Sequence, residues 1–197
     1  SRSTHVSEIA HPRSVLIAGG SGGLGAAIAS ELAARGDVLT LVARNADRLG
    51  AVPVAAKRLA LDLRDPRNAD IAVDAAVDHG GGLDVVVNAI GVVAFGNVVD
   101  LSLDTMEELF LTNTFVPIAL AKAALTHLRA GGVIVNISGV IAEQNLPGMA
   151  AYGASKAAVA SFDEALAREA RRAKVRVIDA RPPHTETGLA DRAIDGQ

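Results

Sequence analysis

The chain of 197 residues has no cysteine and no tryptophan, and its 3% aromatic content comes from four phenylalanines and a single tyrosine. Without cysteine there is no disulfide, no thiol nucleophile and no thiolate-held metal. The five histidines, His5, His11, His79, His127 and His184, are too scattered to form a metal cluster. No apolar run approaches the ~18 residues of a membrane span, and residues 1–12 carry no apolar leader stretch. An excess of charge of one sign is also missing. Nineteen basic and 22 acidic residues are interspersed, giving a formal net charge of −3, which leaves no electrostatic footprint for nucleic acid or an anionic membrane. The expected partner is a small molecule and the expected location is the cytoplasm.

What is present suits an α/β protein. Half of the residues are hydrophobic, so with few aromatics the core must be built from Ala, Val, Leu and Ile, and 19 glycines point to tight turns and close backbone approaches. The length fits one large domain, read here as a tail over residues 1–12 and a single domain over 13–197. In order, an apolar strand at 15–18 runs into Gly19-Gly20-Ser21-Gly22-Gly23-Leu24-Gly25 and a helical pattern at 24–34. A glycine loop between strand and helix lets backbone N–H groups approach a pyrophosphate at the positive end of the helix dipole. The second strand, 38–42, ends at Ala43-Arg44. An acidic residue about 20 positions after the glycines would hold a ribose 2′-hydroxyl, whereas an arginine there accommodates a 2′-phosphate.

Further strands are read at 58–63, ending in Asp62 and Leu63, at 83–88, at 133–138 and at 175–180. Helices fall at 70–79, at 103–129 with a kink at Pro117, and from about 150 to 172. Six alternations of strand and helix predict a doubly wound parallel sheet with ligands at the C-terminal strand ends, where Gly25, Asn88, Ser138 and Pro182 fall. The only tyrosine, Tyr152, precedes Lys156 by four residues. On a helix the two share a face one turn apart, and an ammonium beside a phenol favours the phenolate, lowering a pKa that is normally near ~10. That is an acid/base pair.

In combination these motifs resemble the short-chain dehydrogenase/reductase family of the ordinary kind, over residues 15–188. The family's T-G-x-x-x-G-x-G appears as Ala18 to Gly25, its N-N-A-G as Asn88-Ala89-Ile90-Gly91, and its Y-x-x-x-K as Tyr152 and Lys156. The resemblance implies a Rossmann sheet in the order 3-2-1-4-5-6. It also implies that Asp62 contacts adenine, that Asn113 holds a water linking Lys156 to solvent, and that Pro182 with Thr185 and Thr187 grips the nicotinamide carboxamide. Helices 103–129 and 150–172 would pack against their copies in a homodimer.

There are two departures. The family's catalytic serine lies 13 residues before the tyrosine, which here is Gly139; Ser138 sits one place early, where strand alternation turns a side chain to the other face. Ordinary members also carry roughly fifty further residues. The function expected is an NADP(H)-dependent oxidoreductase of ketones or secondary alcohols, with NADP(H) preferred over NAD(H), and Tyr152, Lys156, Asn113 and Ser138 as the catalytic set. The alternative is a nucleotide-binding sensor that kept the fold and lost turnover.

Overall fold

Strand β1, Ser14–Ala18, is buried along its whole length because strands flank it on both sides and helices cover both its faces. The computed structural model describes residues 11–139, 146–182 and 193–194. Strands β2 (Val38–Ala43), β3 (Ala56–Ala60), β4 (Leu83–Asn88), β5 (Leu128–Ile137) and β6 (Arg176–Ala180) join β1 in one sheet, ordered β3-β2-β1-β4-β5-β6. Every pairing is parallel. The order and the parallel pairing are those expected from the sequence.

Alternation along the strands divides the core in two. Val15 and Ile17 face helix α1 (Gly23–Ala34) and the short α2 (Ala46–Gly50), together with Ala29, Leu39, Leu41 and Leu49. Leu16 and Ala18 face the opposite layer, made by α3 (Arg67–Gly80), α5 (Val116–Leu125) and α6 (Ala150–Glu169). Each fully buried Val, Leu or Ile contributes roughly 1.5–3 kcal/mol, so a core with few aromatics is built from many small terms.

Three local readings are corrected. Strand β3 begins two residues and ends three residues earlier than expected, because the Arg58 guanidinium donates to the carbonyls of Leu49, Val52, Val54 and Ala56 and fixes the chain there. Asp62 and Leu63 therefore lie past the strand end. Helix α2 was not foreseen; its signal is Asn45, whose Oδ1 accepts the Arg48 backbone N–H at 2.9 Å as an N-cap. The helix expected at 103–129 is α4 (Leu103–Phe110), a π-helical turn at Leu111–Phe115 and α5, ending at Leu125. Pro117 stands at the start of α5. It lacks the N–H that would bond the Asn113 carbonyl in a regular α-helix, and the wider turn lies just before it.

The stretch Leu103–Leu125 is long and apolar enough to cross a membrane by length and composition, an 18-residue window within it having a mean hydropathy of 1.3. In the fold it is a packing element: Leu109, Val116, Leu120, Ala121 and Ala124 are buried.

Candidate active site

The C-terminal ends of the strands open into one cleft of about 440 Å³ that runs from the glycine loop to Tyr152. Its floor follows from backbone geometry. Gly19 has φ +81°, and a Cβ on Gly25 would lie 2.0 Å from the Gly19 carbonyl oxygen, so neither position accepts a side chain without moving the loop. Gly19 and Gly20 N–H groups donate to the Val42 carbonyl, which ties the loop to β2. Helix α1 begins with no side-chain cap and no acid in its first turn, so its first N–H groups are left for a ligand. Ser21, Gly22, Gly23 and Leu24 line the cleft there. Gly20 does not line it and serves the loop's anchorage instead.

At one end of the cleft stand Arg44, Asp62, Leu63 and Arg64. Arg44 is exposed and makes no hydrogen bond or ion pair among the described residues. Asp62 is already engaged: Arg64 donates to it through Nη2 at 2.7 Å and reaches Glu108 at 3.1 Å. That guanidinium hydrogen bond holds the Asp62 carboxyl below the usual carboxylate range. Arg64 was not singled out in the sequence. Arg48, on α2, donates to the Ser21 carbonyl at 3.3 Å and closes the rim.

After β4, the side chain of Asn88 accepts the Ile90 N–H at 3.3 Å and shapes the turn from beneath, while Ala89, Ile90 and Gly91 line the cleft. Asn113, 1% exposed, is fully committed. Its Oδ1 accepts the Val92 N–H at 2.8 Å, and its Nδ2 donates to the Val92 carbonyl at 2.8 Å and to Ser155 Oγ at 3.0 Å. Ser155 Oγ donates in turn to the Tyr152 carbonyl at 2.7 Å. Ser155, unnoticed in the sequence, thus couples the π turn to α6; its signal was a hydroxyl on the Tyr152 helix, three residues on.

Tyr152 and Lys156 are brought together in the cleft, 8% and 6% exposed. Lys156 Nζ donates to the Ile137 carbonyl at 3.1 Å, and a Cβ on Gly91 would lie 3.1 Å from it. Burial pushes the Tyr152 phenol up from its ordinary value rather than down as the sequence suggested, because desolvation of the phenolate dominates. Burial also brings Lys156 down to about 8, opposed by the negative charge of Asp179. The Tyr152 ring sits in an apolar cluster with Val93, Leu109 and Ala151, and Phe95 and Met149 pack against it.

Ser138 also lines the cleft, but its hydroxyl donates to Asp179 Oδ1 on β6. Gly139, where the family pattern places the serine, has φ +81°, a conformation that L side chains rarely adopt. Pro182 lines the cleft at the end of β6; Thr185 and Thr187 lie outside the described residues. Among the described residues no group of three metal-ligating side chains occurs.

The model of the family described as short chain dehydrogenase matches residues 13–197. The chain belongs to this family. It is therefore an NAD(P)-dependent oxidoreductase acting on CH–OH groups of small molecules. Versicolorin reductase stcU of Emericella nidulans is 31% identical over 183 residues, covering 88% of this chain and 69% of that one. A short chain dehydrogenase from Burkholderia cenocepacia J2315, solved in complex with NADP, is 33% identical with a TM-score of 0.82, covering 91% and 78%. An NAD+-bound xylitol dehydrogenase is 26% identical with the same TM-score, covering 87% and 70%. Both nicotinamide cofactors thus occur among the structural relatives.

Proposed function

We propose that the protein is an NADP(H)-dependent oxidoreductase that interconverts a ketone and a secondary alcohol, with Tyr152 as the acid/base. The observation that carries the reading is the pairing of Tyr152 and Lys156 on one face of α6, both buried, at the opposite end of the cleft from Arg44. The cleft fits a dinucleotide: the uncapped N-terminus of α1 and the Gly19–Gly25 contact leave room and donors for a pyrophosphate. When bound, the nicotinamide supplies or accepts the hydride.

The remaining work falls to the chain. Tyr152, held as a neutral phenol by burial, carries the proton that a forming alkoxide needs, and takes it back in the oxidative direction. The Lys156 ammonium, anchored on the Ile137 carbonyl, favours the phenolate that donation leaves behind. Asn113 supports the relay indirectly: with its side chain occupied, its main-chain carbonyl, left without a regular partner by Pro117, is the group available to a water. Arg44, exposed on the rim of the cleft, would meet the 2′-phosphate of NADP(H). Small, mostly apolar carbonyl compounds suit the surroundings of the Tyr152 ring.

A second reading, a catalytically reduced nucleotide-binding sensor on the same fold, is supported by the glycine at position 139 and by the engagement of the Ser138 hydroxyl with Asp179. The test is a panel of ketones and secondary alcohols assayed with NADPH and NADH. Turnover that falls ~10²–10⁴-fold in Tyr152→Phe, with cofactor binding retained, is expected. Near wild-type rates in that variant would refute the mechanism, and cofactor binding with no turnover across the panel would favour the sensor.

A further inference from the structure

Behind the Tyr152–Lys156 pair lies a row of polar groups that the mechanism above does not use. Asn136 on β5 pairs in register with Asp179 on β6, and Ile137 with Ala180, so Asn136, Ser138 and Asp179 project toward α6. Asp179 takes three roles at once. Its Oδ1 accepts the Ser138 hydroxyl and its Oδ2 accepts Arg181 Nε at 2.5 Å; Lys156 Nζ is anchored on the carbonyl of Ile137, the residue before Ser138, so the carboxylate charge is close to the ammonium and opposes its desolvation. The side chain is 14% exposed, a site where an anion needs partners of this kind.

We propose that Asp179 is a positioning residue of the active site, whose carboxylate turns the Ser138 hydroxyl away from the substrate and supplies the counter-charge to the Lys156 ammonium. The proposal rests on the reading of Tyr152 and Lys156 as the acid/base pair. Among the described residues, the titratable and charged groups around Lys156 are these: Tyr152 on its own helix, Asp179 on β6 and, through it, Arg181 just past that strand, and Asp163 two turns along α6, tied to Asn136 at 2.6 Å. On α4, Glu108 is engaged by Arg64 and Thr112. The π turn offers Asn113, which is neutral. Asp179 is the anion of this set that supports the ammonium against burial. Removing its charge while keeping its shape therefore makes Lys156 give up its proton at lower pH.

The chain has four lysines, Lys57, Lys122, Lys156 and Lys174, so the side-chain Cε signals of ¹³C-lysine-labelled protein are few, and Lys156→Arg assigns the one of interest. In wild type the Lys156 midpoint is expected at about 8. In Asp179→Asn it falls by about one pH unit, the lower end of the effect of a close opposite charge. Asp179→Glu, which keeps the charge, restores most of it. Ser138→Ala breaks the hydrogen bond but spares the charge, and moves the midpoint much less. Should Asp179→Asn fail to fold, Arg181→Gln at the partly exposed end of the row removes the competing cation, and the Lys156 midpoint rises. An unmoved midpoint in folded Asp179→Asn, or in Arg181→Gln where the first variant does not fold, overturns the proposal.

The titration needs no substrate. Absence of turnover on the carbonyl panel would thus refute the proposed function and leave the Asp179 result legible, whereas normal turnover with an unmoved Lys156 midpoint would sink the Asp179 role alone. On a substrate that is turned over, the pH profile of kcat in Asp179→Asn shifts in the same direction as the NMR midpoint.

Discussion

Replacing Asp163 by asparagine is expected to stabilise the protein at pH 8 and not at pH 4. Asp163 is 3% exposed; its Oδ1 accepts from Asn136 Nδ2 at 2.6 Å, and its Oδ2 has no hydrogen-bond partner among the described residues. Burial pushes this carboxyl up from 3.8 to about 7, against the Asn136 hydrogen bond and with the help of the Asp179 charge. The unfolded chain releases this proton near pH ~4, so between about 4 and 7 the native state holds one proton more. Stability therefore falls as pH rises through that window. Three units at 1.36 kcal/mol each set a ceiling of about 4 kcal/mol. Asp163→Asn removes the charge but leaves an amide N–H unpaired where Oδ2 now lies, at a cost of about 1–3 kcal/mol. A net gain of about 1–3 kcal/mol at pH 8 follows. Urea unfolding of both proteins at pH 4.5, 6 and 8 measures it, because other titrating groups cancel in the difference between variant and wild type. A difference that does not change with pH would refute the burial argument.

Two further outcomes are expected. Titration with both reduced cofactors should show NADPH bound about ten- to a hundred-fold more tightly than NADH, since a charge-assisted contact from Arg44 contributes roughly 1.5–3 kcal/mol; equal affinities, or a preference unchanged in Arg44→Ala, would remove Arg44 from the cofactor site. Light scattering at micromolar concentration should report a homodimer, because Leu103, Phe110 and Phe115 leave an apolar face at 80%, 41% and 46% exposure along α4 and the π turn, and a species of only 20.1 kDa would end that reading.

The sheet order was legible because every strand but β3 is a short, largely apolar run that ends at or within two residues of a glycine, an asparagine or a proline, as buried parallel strands do. Leu83–Asn88 was bounded correctly from sequence alone. β3 was not, since it is an edge strand of half-buried residues whose position is set by Arg58 reaching carbonyls up to nine residues away, a contact with no local signature. The glycine loop, Tyr152 and Lys156 were legible because their chemistry depends on spacing. The direction of the Tyr152 shift was not, because spacing gives the neighbouring charge but not the burial, and here burial dominates. Ser138 is the instructive case. It lines the cleft one place before the position the motif asks for, and the partner its hydroxyl meets, Asp179, is 41 residues away in sequence and had no reason to be singled out.

Asp163 was within reach, and the reason it passed unnoticed bears on how the site is held. Tyr152, Lys156, Val159, Asp163, Leu166 and Ala170 recur at spacings of four and three, and all are buried, so they form one inward stripe along α6 and the 3₁₀ turn that follows it. Half of a stripe that ought to be apolar is a phenol, an ammonium and a carboxyl. Lys156, brought from 10.5 to about 8, binds its proton more tightly in the unfolded chain. The native state therefore gains stability as pH climbs from about 8 to about 10.5 and carries the cost of the buried ammonium below 8. Asp163 carries its cost above about 7. The two windows meet near neutrality, where both groups are held in the form that folding favours least. A helix selected for packing alone would place leucine at both positions. That the stripe instead keeps a lysine beside Tyr152, with Asp179 opposing its desolvation from the neighbouring strand, is what is expected where stability yields to the chemistry of a proton.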